Sequence, residues 1–221
     1  MSKIVIEGVI GEVYDWLQDE LKATSYKGIE SKLKDINDDI ELHINSKGGD
    51  AFEGMAILNS LRNYDGGSKT AIIDGFCASA ATLPLFAMDK VKAHETSLFV
   101  FHKAGTFAFG HASDLRAAAT ELDTIDSVVI DLYMSKFTGS REELDALLDE
   151  DKIITAQQAK EYGFIDEIIP NVDQSDPALK TGAKLDAEKP TQEQVDEVLE
   201  ERQKNLAGSF LKALSEVTMQ K

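Results

Sequence analysis

The stretch Ile72-Ile73-Asp74-Gly75-Phe76-Cys77-Ala78-Ser79-Ala80-Ala81-Thr82-Leu83-Pro84-Leu85-Phe86-Ala87-Met88 restricts the fold more than any other part of the chain. The β-branched run from Thr70 to Ile73 reads as a buried strand, Gly75 as its break, and the small apolar residues that follow as a buried helix. Ser79 stands at that strand-to-helix junction. A hydroxyl there lies near helix N–H groups that lack an intrahelical acceptor and near the positive end of the macrodipole. Such groups stabilise the oxyanion that forms when a serine attacks an acyl carbonyl. A serine between alanines is equally compatible with a helix cap or a small packing residue, so the rest of the chain has to weigh in.

Strands and helices alternate around this stretch. Residues 3–10 read as a first strand closed by Gly11. Residues 12–36 carry Val13, Trp16, Leu17, Leu21, Ile29 and Leu33 at helical spacing, interrupted near residues 24–28. Residues 40–45 alternate as a strand and run through Ser46-Lys47-Gly48-Gly49-Asp50 into a helix over residues 51–61. A Gly-Gly turn at a helix start exposes N–H groups and suits an anion or oxyanion. The phosphate-loop reading fails because no Gly-Lys-Ser/Thr follows at the required spacing, and the dinucleotide fingerprint lacks its third glycine.

A turn at residues 65–68 leads into the Ser79 stretch, followed by a short segment at residues 90–93 and a strand over residues 97–101 ending at His102. The loop 103–110, rich in glycine and aromatics, either closes over a groove or lies in one. A long amphipathic helix then runs from His111 or Ser113 to about Phe137, with Leu115, Ala119, Leu122, Ile125, Val128, Val129, Leu132 and Met134 on its apolar side. Either it projects towards another subunit or it lies along its own sheet. Ser140-Arg141-Glu142-Glu143 has the form of a capping box, residues 155–163 read as a helix closed by Gly163, and residues 164–169 as a last strand. This divides the chain into a compact domain at 1–170, a linker at 171–189 and a helical tail at 190–221. The tail's Val195, Leu199, Leu206, Phe210, Leu211 and Leu214 need a surface to dock on.

A net charge of −17 and a pI near 4.6 argue against binding a nucleic-acid backbone. No apolar run reaches bilayer length, and Glu7 comes too early for a signal-peptide core. The lone Cys77 cannot form an intramolecular disulfide. A cytoplasmic protein without nucleic-acid or membrane partners is expected.

Alternating elements imply an α/β fold with a mostly parallel sheet, in which loops at the carboxyl ends of strands gather in one crevice. Gly48-Gly49, Ser79 and His102 each follow the end of an expected strand, which places an oxyanion loop, a nucleophile and a base on one edge. The orienting acid is not identified by spacing among forty acidic residues. The Gly-x-Ser-x-Gly elbow is absent. His43 faces out of a strand, His94 and His111 fall in loops, and none has a second ligand at metal spacing. Cys77 is a weaker candidate nucleophile, because buried cysteines are mostly inert.

Four motifs in order carry a resemblance. They are Ile44-Asn45-Ser46-Lys47-Gly48-Gly49 with Gly54-Met55-Ala56-Ile57, Gly75-Phe76-Cys77-Ala78-Ser79-Ala80-Ala81, Phe101-His102, and the run from Asp151 to Asp166 around Thr155-Ala156. Over roughly residues 3–169 the chain resembles the Clp protease proteolytic subunit family. The resemblance implies a crotonase-like ββα spiral, with the helix at 111–137 as a handle joining stacked rings of a homo-oligomer. It implies Ser79 as nucleophile, His102 as base and Asp151 as orienting acid, with Asp166 the runner-up. Gly49 or Gly48, together with Ala80, would donate to the oxyanion. No cofactor or metal is implied, and the substrates would be proteins or peptides. Lys47 stands where the family usually has proline, and Cys77 where it usually has alanine. The short stretch before the first strand and the helical tail after Pro170 weigh against coupling to an ATP-driven unfoldase, and both features resemble the Clp-related proteases of tailed phages that process capsid and scaffold proteins. Two other readings stay open: an acyl-CoA hydratase or isomerase on the same fold, and a non-catalytic ring scaffold.

Overall fold

In the computed structural model residues 1–12 and 22–170 are described. The helical piece expected around Val13, Trp16, Leu17 and Leu21, the linker and the tail helix lie outside the described residues.

Period-two alternation builds the first strands. In β1 (Ser2–Ile10) Ile4 and Ile6 are buried while Lys3 and Glu7 are exposed; in β2 (Ile40–Gly49) Ile40, Leu42 and Ile44 turn inward. Helix α1 (Tyr26–Lys34) starts where the Ser25 hydroxyl accepts from the Gly28 N–H. Helix α2 (Ala51–Arg62) starts at Asp50, whose carboxylate accepts from the Glu53 N–H at 3.0 Å. The Glu53 carboxylate in turn accepts the Tyr26 N–H at 2.6 Å, tying the two helix starts together.

Gly75 does not end the next strand, β3 (Lys69–Ala78), which runs on to the residue before Ser79. Ile44 pairs with Ile73 and Ser46 with Cys77, so β3 uses more residues than β2 over the same span. The Asn45 side chain fills that irregularity, accepting the Phe76 N–H at 3.1 Å. The length of β3 lets it serve two neighbours. Its first half pairs with β4 (Lys90–His94), its second with β5 (Leu98–Val100), both parallel. At the changeover the buried Ser97 hydroxyl donates to the Ile73 carbonyl at 2.7 Å. The segment at residues 90–93 is therefore a full strand, and His94 ends it instead of lying in a loop.

Helix α3 (Ala112–Met134) follows, then α4 (Arg141–Glu150), whose expected capping box between Ser140 and Glu143 is formed. The remaining elements are β6 (Ile154–Thr155), α5 (Ala156–Glu161) and β7 (Glu167–Ile169). The main sheet is parallel in the order β1-β2-β3-β4-β7, with β5 on β3 and β6 antiparallel to β5. Phe164 and Ile165 are core residues ahead of β7 and not part of it. Asp166 latches β4 by giving its N–H to the Val91 carbonyl and accepting the Val91 N–H at 2.7 Å.

The buried helix expected after β3 is a 3₁₀ helix, Ser79–Ala87. Pro84 supplies the reason. In an α-helix its ring would press on the Ala80 carbonyl, four residues back. In the 3₁₀ form the carbonyl deprived of an N–H belongs to Ala81, and the Cys77 thiol donates to it at 3.3 Å. Burial pushes the Cys77 thiol far above its usual range, which keeps that donor protonated. A thiol pKa raised by folding gives a stability contribution that is complete below the unfolded value, about 8.5, and lost as pH rises above it. Urea melts from pH 7 to 10 should therefore show a decline above about pH 8.5, of at most about 1.4 kcal/mol per pH unit from this group. The decline should be shallower in Cys77→Ala. Iodoacetamide should label Cys77 only after unfolding.

Helix α3 meets the body through its last turns. Val129, Ile130 and Tyr133 are buried, whereas Leu115 and Val128 on the expected apolar side are 45% and 57% exposed. An aromatic cluster fixes that end: Tyr133 packs edge-on to Phe101 at 5.3 Å, and Phe101 stacks on Phe164 at 4.0 Å.

Candidate active site

Ser79 has a left-handed backbone, φ +57. For a residue with a Cβ this costs about 1–2 kcal/mol, so the surroundings must enforce it. Gly48 (φ +90) does so from behind. A Cβ on Gly48 would stand 2.6 Å from both the Ala78 carbonyl and the Ser79 Cβ, and 3.0 Å from the Ala80 nitrogen. Gly49 (φ +154) is equally constrained, since a Cβ there would fall on the Ile10 carbonyl. The glycine pair is thus the end of β2 pressed against the serine turn, not the loop expected between strand and helix.

The amides at this strand end divide by direction. Gly48 N–H donates to the Ser46 hydroxyl at 3.0 Å, which itself donates to the Gly8 carbonyl on β1; Asp50 N–H donates to the Ile10 carbonyl, also on β1. By strand alternation the Gly49 N–H between them faces the other way, towards β3. The Ala80 N–H belongs to the first turn of the 3₁₀ helix, where amides have no partner within the helix.

His102 follows β5. The next residues are held by carboxylates: Lys103 Nζ donates to Asp149 at 2.7 Å and the Ala104 N–H to Asp126 at 2.6 Å. Ser79 and His102 line one cleft of about 550 Å³, together with Gly49 and Ala80. Its apolar wall is Leu83, Ile125, Val129 and Tyr133, and Lys103 to Thr106 form one rim. The rest of that loop carries Phe107 and Phe109, 92% and 87% exposed.

Asp151 ends α4 in a left-handed conformation, φ +46, and does not line the cleft. Among the described residues no hydrogen bond joins Ser79 to His102 or His102 to Asp151. The other histidines stand apart: His43 Nδ1 is 2.9 Å from Asp74, His94 Nε2 is 3.9 Å from the same carboxylate, and His111 caps α3. Among the described residues no cluster of His, Cys, Asp and Glu could hold a metal, and no helix is long and apolar enough to cross a membrane.

Residues 17–172 match the family described as Clp protease. The chain belongs to the Clp protease family. Its sequence is 36% identical over 140 residues to proteolytic subunit 1 of the ATP-dependent Clp protease of Thermobifida fusca, covering 62% of each chain. Subunit 2 of the same organism is 34% identical over 142 residues, covering 62% of this chain and 68% of the relative. The Bacteroides fragilis (strain ATCC 25285) proteolytic subunit is 32% identical over 137 residues, covering 61% of this chain and 66% of the relative. The chain thus spans about 62% of the length of the first of these relatives. In this Clp protease family member the mostly parallel sheet and the long α3 agree with the resemblance drawn from the four motifs.

Tyr133, in the wall of the cleft, has no counterpart in the sequence reading. Tyr133 had a signal, since it lies one helical turn from Val129, between the recognised Leu132 and Met134. Nothing in the sequence reveals what its hydroxyl touches.

Proposed function

We propose that this chain is a serine endopeptidase acting on proteins or peptides, with Ser79 as nucleophile. The observation that carries the reading is that a left-handed Ser79 and His102, from two different strand ends, open into one cleft. His102 would take the Ser79 Oγ proton as Oγ attacks the peptide carbonyl, then give it to the leaving amine. The oxyanion would accept from the Gly49 and Ala80 amides, because the Gly48 amide is already bound to Ser46. Water, deprotonated by His102, would then release the acyl group from Ser79. Catalytic hydrogen bonds are commonly long in unliganded enzymes and tighten with substrate. The apolar wall of the cleft suits an apolar side chain beside the scissile bond.

A fluorophosphonate probe tests this. An adduct mapped to Ser79 and abolished in His102→Ala is the expected result; no adduct would favour the acyl-CoA or scaffold readings.

The acid is assigned to Asp151. Asp166 is engaged with the Val91 backbone, so Asp166→Asn should alter stability with little change in turnover. Asp151→Asn should lower kcat by about 10³–10⁴-fold by releasing the His102 tautomer. The opposite ranking in peptide-hydrolysis assays would reverse the choice.

Ring assembly through α3 and capsid or scaffold proteins as substrates are part of the same proposal. The exposed Leu115, Val128, Phe107 and Phe109 support the first. Native mass spectrometry tests the assembly, and cleavage of phage capsid and scaffold proteins by the purified protein tests the substrates.

A further inference from the structure

The strain at Ser79 raises the question of what, besides Gly48, holds the turn. The Ser79 carbonyl accepts a hydrogen bond from the Thr82 hydroxyl at 2.7 Å. Thr82 Oγ1 is also 2.7 Å from the Tyr133 hydroxyl. Both side chains are almost fully excluded from solvent, at 0% and 1% exposure. Threonine has one hydroxyl hydrogen. With that hydrogen on the Ser79 carbonyl, the Tyr133 hydroxyl must be the donor of the second bond. The order is therefore fixed: Tyr133 O–H to Thr82 Oγ, Thr82 O–H to the Ser79 carbonyl. Burial raises the Tyr133 phenol above its usual range, which keeps its proton in place.

Tyr133 also reaches the other half of the site. Its ring packs edge-on against Phe101, the residue before His102, and lines the cleft. One side chain on α3 thus touches the support of the nucleophile turn through its hydroxyl and the support of the base through its ring. We propose that Tyr133 and Thr82 are positioning residues that set the Ser79 turn relative to His102 and couple both to α3. This rests on the serine-hydrolase reading and names how that site is held.

The test uses the full-length protein and removes both hydroxyls at once, Thr82→Val with Tyr133→Phe. Single Thr82→Val leaves the buried Tyr133 hydroxyl without its partner and is expected to destabilise the fold. The double variant leaves no such orphan and keeps both shapes, so its melting temperature should stay near that of the wild type. The expected result is a fall in kcat and in the rate of fluorophosphonate acylation at Ser79 of about 10–100-fold, with KM little changed, because the cleft wall is intact while the nucleophile is misplaced. Amide exchange across residues 78–82 should rise in parallel. Wild-type acylation and exchange rates in a well-folded double variant would overturn the proposal. If the wild-type protein takes no probe, the hydrolase reading fails, and amide exchange still decides whether the pair holds the turn: unchanged exchange overturns it.

Discussion

Ser79→Ala should reduce peptide hydrolysis by at least about 10⁴-fold while leaving the urea midpoint close to that of the wild type. The first half follows from the role proposed for the hydroxyl, since removing the nucleophile of a triad leaves only what oxyanion stabilisation and binding contribute. The second half follows from the structure. The bonds that hold the turn use the Ser79 carbonyl and the Gly48 contact, neither of which the substitution removes. Alanine bears the same left-handed strain as serine, so the cost already met by the fold does not change. Steady-state hydrolysis and a denaturation curve on one preparation check both halves. Acyl-CoA turnover that survives the substitution would favour the hydratase or isomerase reading, and unimpaired biological function without hydrolysis would favour the scaffold.

The second large effect is on the fold itself. Gly48→Ala should destabilise the protein by about 3–5 kcal/mol and abolish acylation at Ser79. Two penalties combine. The backbone at φ +90 is unfavourable for any residue with a Cβ, and that Cβ would stand 2.6 Å from the Ala78 carbonyl and the Ser79 Cβ. Neither neighbour is the free end of a flexible side chain, so β2 or the nucleophile turn has to move. Gly28→Ala is the contrasting substitution. Its Cβ would meet only the Ser25 hydroxyl at 3.5 Å, in a helix where alanine is preferred to glycine by roughly 0.5–1 kcal/mol. Urea melts of the two variants should move in opposite directions, or at least differ by several kcal/mol. A Gly48→Ala protein as stable as the wild type would show that the contact between β2 and the serine turn is looser than described.

Much of the architecture was legible in the sequence because it rests on local periodicity and local caps. The alternating Ile40, Leu42 and Ile44, the Asp50 start of α2 and the Ser140–Glu143 box depend on residues close in sequence. The positions of Ser79 and His102 at strand ends were legible for the same reason, and the parallel order of the sheet then brings them to one edge. The role of Asp151 came from the resemblance alone, as did the choice of Gly49 and Ala80 as donors within the oxyanion loop and helix start that patterning had offered, and these stand as proposals.

Three features were decided by tertiary contacts. Gly75 looks like a strand break, yet β3 continues because Asn45 of β2 satisfies the Phe76 amide across the irregularity. The serine segment reads as a buried helix, and Pro84 and the Cys77 thiol together favour its 3₁₀ form. Gly48-Gly49 looks like a free loop, whereas packing against Ser79 and Ile10 makes it the end of a strand. The sequence by itself determined which segments are strands and helices and which strand ends carry Ser79 and His102, since hydrophobic period and capping act within a few residues. Only the folded chain decided where β3 stops, how the Ser79 turn is held and what Tyr133 does, because each depends on a hydrogen bond or a steric contact between residues distant in sequence.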